Sequence, residues 1–247
     1  MLIIKTIVGI SIQTLLLIAL LLLPAGTIYW HDALIWGAVY FVIVTTGSAY
    51  LLVKRPASIE ARLNMETKEQ PREDKLATTL MFSALGIGLL ACPIDVFYLQ
   101  ITPAFIGTLK FSGLFVFVLG LLVFLGSMAA NEFAEPTVHI QEERGQTVAD
   151  TGLYAYVRHP MYSGFILWMI GTNLWLGTTL SLAVSILILL LALGFRIRIE
   201  EKTLLAELDG YKEYSERLIT GEANSFKPKM VVSESDFSAT LSRSSRG

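Results

Sequence analysis

Long apolar runs are the feature that most restricts what this chain can fold into. Four of them precede residue 131, and each has about the 20 residues that a helix needs to cross a bilayer. A fifth run, residues 165–199, is too long for one crossing and contains Gly171, Asn173 and Gly177 near its middle. We therefore divide it into a tight helical hairpin. The first four runs are residues 7–28, 33–53, 76–98 and 111–130.

The composition supports the same class of protein. Hydrophobic residues make up 53% of the chain and charged residues only 16%, which is outside the range of ordinary soluble domains. We predict an all-α, multi-pass transmembrane helical bundle of about six spans, the last two forming a helical hairpin. A cleaved signal peptide is the alternative for the first run, although its apolar stretch is long for that role. A net charge of −2, without a basic stripe, does not favour a nucleic-acid partner.

The basic residues predict the orientation, because short cytoplasmic loops are enriched in Lys and Arg. They cluster after the second and fourth runs and after the sixth span, with only Lys110 on the other side. Both termini and the loops that follow spans four and six are therefore predicted to be cytoplasmic. After Pro56, the residues Ile59, Leu63 and Met65 recur among charges and predict a short amphipathic helix on the membrane surface, with an exposed loop as the alternative.

Three parts of the chain are expected. Residues 1–130 would hold four spans and the cytoplasmic amphipathic loop, and residues 131–220 the region of the candidate site described below, with the hairpin and a C-terminal helix. The Ser-rich residues 221–247 are predicted to be disordered. In the fourth run, Gly113 and Gly120 belong to a seven-residue spacing of small residues, which predicts close approach of a neighbouring helix.

An Arg-His-Pro-x-Tyr-x-Gly motif lies directly before the fifth span. Pro160 disfavours helix at His159 and suits the first turn of a new helix. Arg158 offers a fork of donors for a carboxylate, Tyr162 a phenol and an aromatic face, and Gly164 a place where the backbone can approach a ligand. The alternative is an interfacial Arg and Tyr that only cap the helix.

A second charged cluster ends the sixth span, where Glu200 and Glu201 follow Arg196. Adjacent residues on a helix point about 100° apart, so we expect one glutamate to face a site, and the sequence does not choose between them. Arg196 and Glu200 are four residues apart and could instead pair on the helix surface. Because charge near a bilayer is costly and usually functional, and both clusters are predicted at one face, we expect Arg158 and the glutamates to form one site.

Metal and thiol chemistry are not predicted. Of the three histidines, His31 is expected on the opposite face from His139 and His159, which argues against a three-histidine metal site. Cys92 lies within an apolar run and is expected to be a buried, inert thiol.

The order of these motifs resembles that of the isoprenylcysteine carboxyl methyltransferase and phospholipid methyltransferase group of integral membrane enzymes. The resemblance covers about residues 131–217 and includes a Tyr-x-x-Tyr motif at Tyr211 and Tyr214. It implies that S-adenosylmethionine binds between the loop before span five and the end of span six, with Arg158 and Glu201 as catalytic residues. The implied cofactor-binding residues are Tyr154, Arg158, His159, Pro160, Tyr162, Gly164, Glu200 and Glu201.

The resemblance also implies a reaction, which is methyl transfer to a lipophilic or membrane-associated acceptor, most like isoprenylcysteine carboxyl O-methylation. The acceptor would be a lipophilic small molecule, a lipid or a prenylated peptide, and the protein would also contact membrane lipids. Phospholipid N-methylation and small-thiol S-methylation are alternatives. So are a non-catalytic scaffold and an NADPH-dependent sterol-type reductase, in which Arg144, Arg196 and Arg198 would surround the nicotinamide phosphate.

Overall fold

The structure is a computed structural model that describes residues 1–63, 70–101, 103–135 and 140–220. Within these residues all regular structure is helical, which confirms the predicted all-α fold. Helix α4 continues as a π-helix over Ile94–Leu99, and two 3-10 turns, Glu142–Arg144 and Gly152–Ala155, lie between α5 and α6. The α-helices are α1 Leu2–Ala25, α2 His31–Lys54, α3 Pro56–Leu63, α4 Arg72–Pro93, α5 Gly107–Ala130, α6 Pro160–Leu176, α7 Thr179–Glu207 and α8 Tyr211–Thr220.

Five of the described helices are long and apolar enough to cross a membrane, namely α1, α2, α4 with its π continuation, α5 and α7. Helix α6 has 17 residues and packs along α5, so it forms the sixth member of the bundle. Many large apolar side chains point outward, as Leu15 and Leu187 do with 66% and 61% of their surface exposed. This exposure is expected where lipid covers the protein, and it agrees with an integral membrane protein.

The turn between α6 and α7 confirms the division of the long apolar run. Gly177 adopts a left-handed conformation with φ of 77°, and the Thr178 amide donates to the Asn173 carbonyl at 2.9 Å. This is the hydrogen-bond pattern of a glycine-terminated helix. The Thr178 hydroxyl also donates to the Asn173 side chain at 2.7 Å, beside the fully buried Cys92, so the predicted buried thiol is confirmed.

Helices α5 and α6 approach each other closely at glycines, as the spacing in the fourth run predicts. A Cβ added to Gly113 would lie 2.5 Å from the Trp175 amide nitrogen, and one added to Gly120 would lie 2.4 Å from that of Trp168. On α6, a Cβ on Gly171 would lie 2.1 Å from the amide nitrogen of Phe117. These close contacts fix α6, and therefore its first turn, against α5.

Helix α3 confirms that the segment after Pro56 is helical. Its Ile59 is buried, so part of its apolar surface packs against the protein. Met65, the last of the residues from which an amphipathic helix was predicted, and His139 lie outside the described residues. The predicted disordered tail, residues 221–247, also lies outside them.

The alternation of helix directions brings the ends of several helices to one side. The Trp175 indole, near the end of α6, donates to the Asp32 carbonyl at 2.8 Å, and Lys110 forms an ion pair with the Asp32 side chain at 2.7 Å. His31 therefore lies at the opposite end of the bundle from His159, as predicted. The first turn of α6 shares its end of the bundle with the end of α7.

Candidate active site

The loop before α6 and the last turns of α7 meet through their charged side chains. Arg158 Nη1 donates to Glu201 Oε2 at 2.7 Å, and His159 Nε2 lies 2.5 Å from Glu201 Oε1. The same Glu201 oxygen accepts a hydrogen bond from the Tyr211 hydroxyl at 2.8 Å. The structure thus brings together the two clusters that the sequence places far apart, and Glu201 joins three elements, the loop, α7 and α8.

Glu200 has a different position from its neighbour. Its Oε2 accepts a hydrogen bond from the Tyr162 hydroxyl at 2.5 Å and lies 3.9 Å from His159 Nδ1. Glu200 lines the cavity beside this cluster, together with Arg158, His159 and Tyr162. The rotation of α7 therefore answers the question that the sequence left open, because Glu200 faces the cavity while Glu201 holds the loop and α8.

The local chain explains how these side chains are presented. Helix α6 begins at Pro160, as predicted, and His159 has the non-helical φ of −126° and ψ of 61°. Gly164 packs against α5, where an added Cβ would lie 3.0 Å from the Phe124 amide nitrogen, although it also lines the cavity. Pro160 is buried. Helix start and helix packing therefore account for Pro160 and Gly164 without a ligand.

Helix α8 covers the site with its tyrosines. The Tyr214 hydroxyl donates to the Tyr154 carbonyl at 2.8 Å, and Arg217 forms an ion pair with Asp150 at 3.4 Å. Burial raises the pKa of Tyr154 and of Tyr214 to about 12. Burial, together with the bond to Glu201, also raises the pKa of Tyr211. All three phenols therefore remain protonated at neutral pH, and the Tyr211 and Tyr214 hydroxyls act as hydrogen-bond donors.

A buried ion pair between α4 and α7 contacts the Tyr162 hydroxyl of the site. Arg196 Nη1 contacts Asp74 on α4 and donates to the Thr78 hydroxyl at 2.9 Å, while Arg196 Nε lies 3.2 Å from the Tyr162 hydroxyl. Both charged side chains are 2% exposed. The Arg196–Glu200 surface pair considered from the sequence is not observed, because Arg196 faces α4 across the bundle.

Asp74→Asn is expected to destabilise the protein by about 2–3 kcal/mol, since it replaces a buried charge-assisted contact with a neutral one. The midpoint of thermal unfolding in detergent should fall by several degrees. The exposed neighbour Glu73 provides the control, and Glu73→Gln should leave the midpoint unchanged. Equal midpoints for both variants would contradict a stabilising role for the Asp74–Arg196 pair.

The cavity beside the charged cluster continues into the bundle. Its volume is about 590 Å³, within the range of about 300–1,000 Å³ that is usual for small-molecule sites. One end is the polar cluster, with Tyr154 and Tyr211 at its wall. The other part, here called the apolar arm, is lined at mid-span positions of four helices by Leu17, Leu20, Tyr40, Val44, Met81, Leu85, Leu89, Leu121 and Phe124.

The fold and the site together define an integral membrane protein with a polar site at one end of the bundle and an apolar extension between its helices. Residues 113–206 match the model of the isoprenylcysteine carboxyl methyltransferase (ICMT) family, so this part of the chain is similar to that family. The resemblance predicted from the motifs is thereby confirmed. The matched region contains most of α5, all of α6, and α7 except its last residue. It therefore includes Arg158 and both glutamates.

Curated relatives carry corresponding names. The chain is 38% identical over 113 residues to a protein-S-isoprenylcysteine O-methyltransferase of Saccharomyces cerevisiae, covering 42% of this chain and 47% of the relative. It is 32% identical over 126 residues to one of Schizosaccharomyces pombe, covering 48% and 53%. The chain thus spans about half the length of the curated relatives it matches. No solved structure gives a significant match.

Proposed function

We propose that this protein transfers a methyl group from S-adenosylmethionine to the carboxylate of a prenylated cysteine at the membrane. The observation that carries the proposal is one continuous cavity, which has the charged cluster of Arg158, His159, Tyr162 and Glu200 at one end and the apolar arm at the other. The names of the curated relatives support the same acceptor. Basic residues cluster near this end of the bundle, and such clusters are typical of the cytoplasmic side of a membrane protein. The site and both termini would therefore be cytoplasmic.

The polar end fits a methyl donor that carries positive charge. Glu200 supplies a carboxylate at the cavity wall, and Tyr154, His159 and Tyr162 supply aromatic surface against which an adenine ring can lie. Arg158 uses Nη1 to bind Glu201, and its other N–H groups are suited to a carboxylate. Glu201 acts as a positioning residue, because it holds Arg158 and His159 in place.

The chemistry requires alignment more than proton transfer. When bound, S-adenosylmethionine supplies a methyl group on a positively charged sulfur. A carboxylate acceptor needs no base, whereas an amine or a thiol must lose a proton. His159 and both glutamates already bind other side chains of the cluster, which favours the carboxylate. The phenols of α8 and the apolar walls would restrict water near the opposite charges that disappear during transfer.

The apolar arm suits the lipid part of such an acceptor. Its walls are contributed by α1, α2, α4 and α5, and burial of each methylene group there contributes about 0.8 kcal/mol. An acceptor with a long isoprenoid chain would fill the arm and present its polar end to the charged cluster. A small thiol would leave the arm unused.

The reductase alternative receives no support from its three arginines. Arg196 lines the cavity, but its guanidinium is engaged by Asp74. Arg144 lies 3.6 Å from Glu135, and Arg198 is exposed on α7. The 2′-phosphate of NADPH would need arginine side chains that donate to it at the cavity. A scaffold without activity would not need the cavity with its charged end.

The test is transfer of labelled methyl groups by the purified, detergent-solubilised protein. An S-farnesylated cysteine with a blocked amine should become labelled, and mild alkali should release the label as methanol because the product is an ester. A phospholipid amine and a small thiol serve as competing acceptors, and their products would resist alkali. Label that withstands alkali, or no label with any prenylated cysteine, would contradict the proposal.

Glu200→Gln is expected to weaken S-adenosylmethionine binding by about tenfold, because it removes negative charge from the cavity while an amide oxygen can still accept from Tyr162. Equilibrium binding of labelled donor measures the effect. Glu213→Gln, on the exposed side of α8, is the matched control and should bind normally. Unchanged affinity in Glu200→Gln would mean that Glu200 does not contact the donor.

A further inference from the structure

Arg62, near the end of α3, lines the same cavity and has two nitrogens that lack partners. Its Nη1 and Nη2 are buried, and the described residues offer them no hydrogen bond. Its Nε, in contrast, donates to the Ala134 carbonyl at 2.8 Å. The guanidinium is thus anchored at one atom, with the two outer nitrogens of its fork unused.

A buried guanidinium with unused donors is costly, and at a cavity wall it indicates a ligand of opposite charge. Burial lowers the pKa of Arg62 to about 10, even though Glu135 acts to raise it, so the side chain is still charged at neutral pH. Glu135 does not satisfy the fork, since neither Nη1 nor Nη2 of Arg62 has it as a hydrogen-bond partner; its carboxylate lies 3.6 Å from Arg144. The fork itself matches a carboxylate, which can accept two parallel hydrogen bonds.

We propose that Arg62 binds the carboxylate of the methyl acceptor and is therefore a substrate-binding residue outside the region that matches the family. This inference rests on the proposed function, since it takes the acceptor to be a prenylated cysteine. It adds a residue that the motifs do not contain, because Arg62 lies on a short helix far from them in sequence.

The position of Arg62 favours the acceptor over the donor, which also has a carboxylate. Helix α3 follows α2 directly, separated only by Arg55, and α2 contributes Tyr40 and Val44 to the apolar arm. An acceptor whose isoprenoid chain lies in the arm would bring its carboxylate to the polar end of the same helices. Arg158, in contrast, is fixed to Glu201 on α7.

The experiment compares Arg62→Met with the wild type in two assays, methyl transfer and donor binding. The KM for the amine-blocked S-farnesylcysteine should rise at least about tenfold, and the Kd for S-adenosylmethionine should stay within about twofold. The carboxamide of the same compound lacks the anionic group, so its inhibition constant should be equal in both proteins. A merely structural role would instead weaken the acid and the carboxamide together.

Arg55→Met is the matched control, because Arg55 is a half-exposed arginine next to α3 whose ion pair with Glu132 is long, at 3.8 Å. If Arg62→Met does not fold, Arg62→Lys, which keeps the charge without the fork, should raise the KM severalfold at unchanged donor Kd. An unchanged KM, or a raised donor Kd, would overturn the role of Arg62. Methyl transfer by the wild type would still uphold the proposed function in that case. Absence of transfer by the wild type would defeat both.

Discussion

Glu201→Gln is expected to weaken S-adenosylmethionine binding by at least about 100-fold and to abolish methyl transfer with it. Glu201 binds Arg158, His159 and Tyr211 at 2.7, 2.5 and 2.8 Å. Loss of one member of a hydrogen-bonded, partly buried charge pair costs about 2–5 kcal/mol, and here three side chains lose their orientation together. Equilibrium binding of labelled donor to the purified variant measures the loss.

The matched control is Glu207→Gln, on the same helix but exposed to solvent, and it should bind the donor normally. Arg158→Lys separates charge from geometry, since a lysine keeps the charge but not the planar fork. The Arg158→Lys variant should lose most of its affinity for S-adenosylmethionine. Near-normal binding by Glu201→Gln would show that the glutamate does not organise the donor site.

Gly171→Leu is expected to prevent correct assembly of the bundle, with a destabilisation of at least about 3–5 kcal/mol. A Cβ on Gly171 would lie 2.1 Å from the amide nitrogen and 2.5 Å from the Cα of Phe117, and both are backbone atoms that cannot rotate away. The two helices would have to separate, which would also displace the first turn of α6. The yield of monodisperse protein and its thermal unfolding midpoint report the effect.

Gly194→Leu on α7 is the control, because an added Cβ there meets nothing within 4 Å and the position is exposed. This variant should be recovered and unfold like the wild type. If both leucine variants behaved alike, the effect would come from leucine in a helix and not from the α5–α6 contact.

The number and approximate positions of the helices were predictable, because the length of an apolar run indicates whether it can span a membrane. The hairpin turn at Gly177 and the start of α6 at Pro160 agree with the sequence, since both depend on local backbone preferences. The proximity of Arg158 to the glutamates was expected because the start of the fifth span and the end of the sixth lie on the same side of the predicted topology. These features need no knowledge of how the helices are rotated.

Helix rotation and register explain what the sequence could not supply. Whether Glu200 or Glu201 faces the cavity depends on the rotation of α7 against α6. The partner of Arg196 is Asp74, 122 residues away, and no local pattern connects them. Arg62 was only one of several charges in an amphipathic segment, and its unused donors become visible only when the cavity is formed.

Backbone hydrogen–deuterium exchange with and without S-adenosylmethionine tests whether the start of α6 and the end of α7 form one donor site. We predict that the donor slows exchange in two separate segments together, residues 158–164 and residues 200–211, while the Asp32–Lys110 end of the bundle is unaffected. Protection of only one of these segments, or protection at the opposite end, would contradict a single donor site formed by the start of α6 and the end of α7.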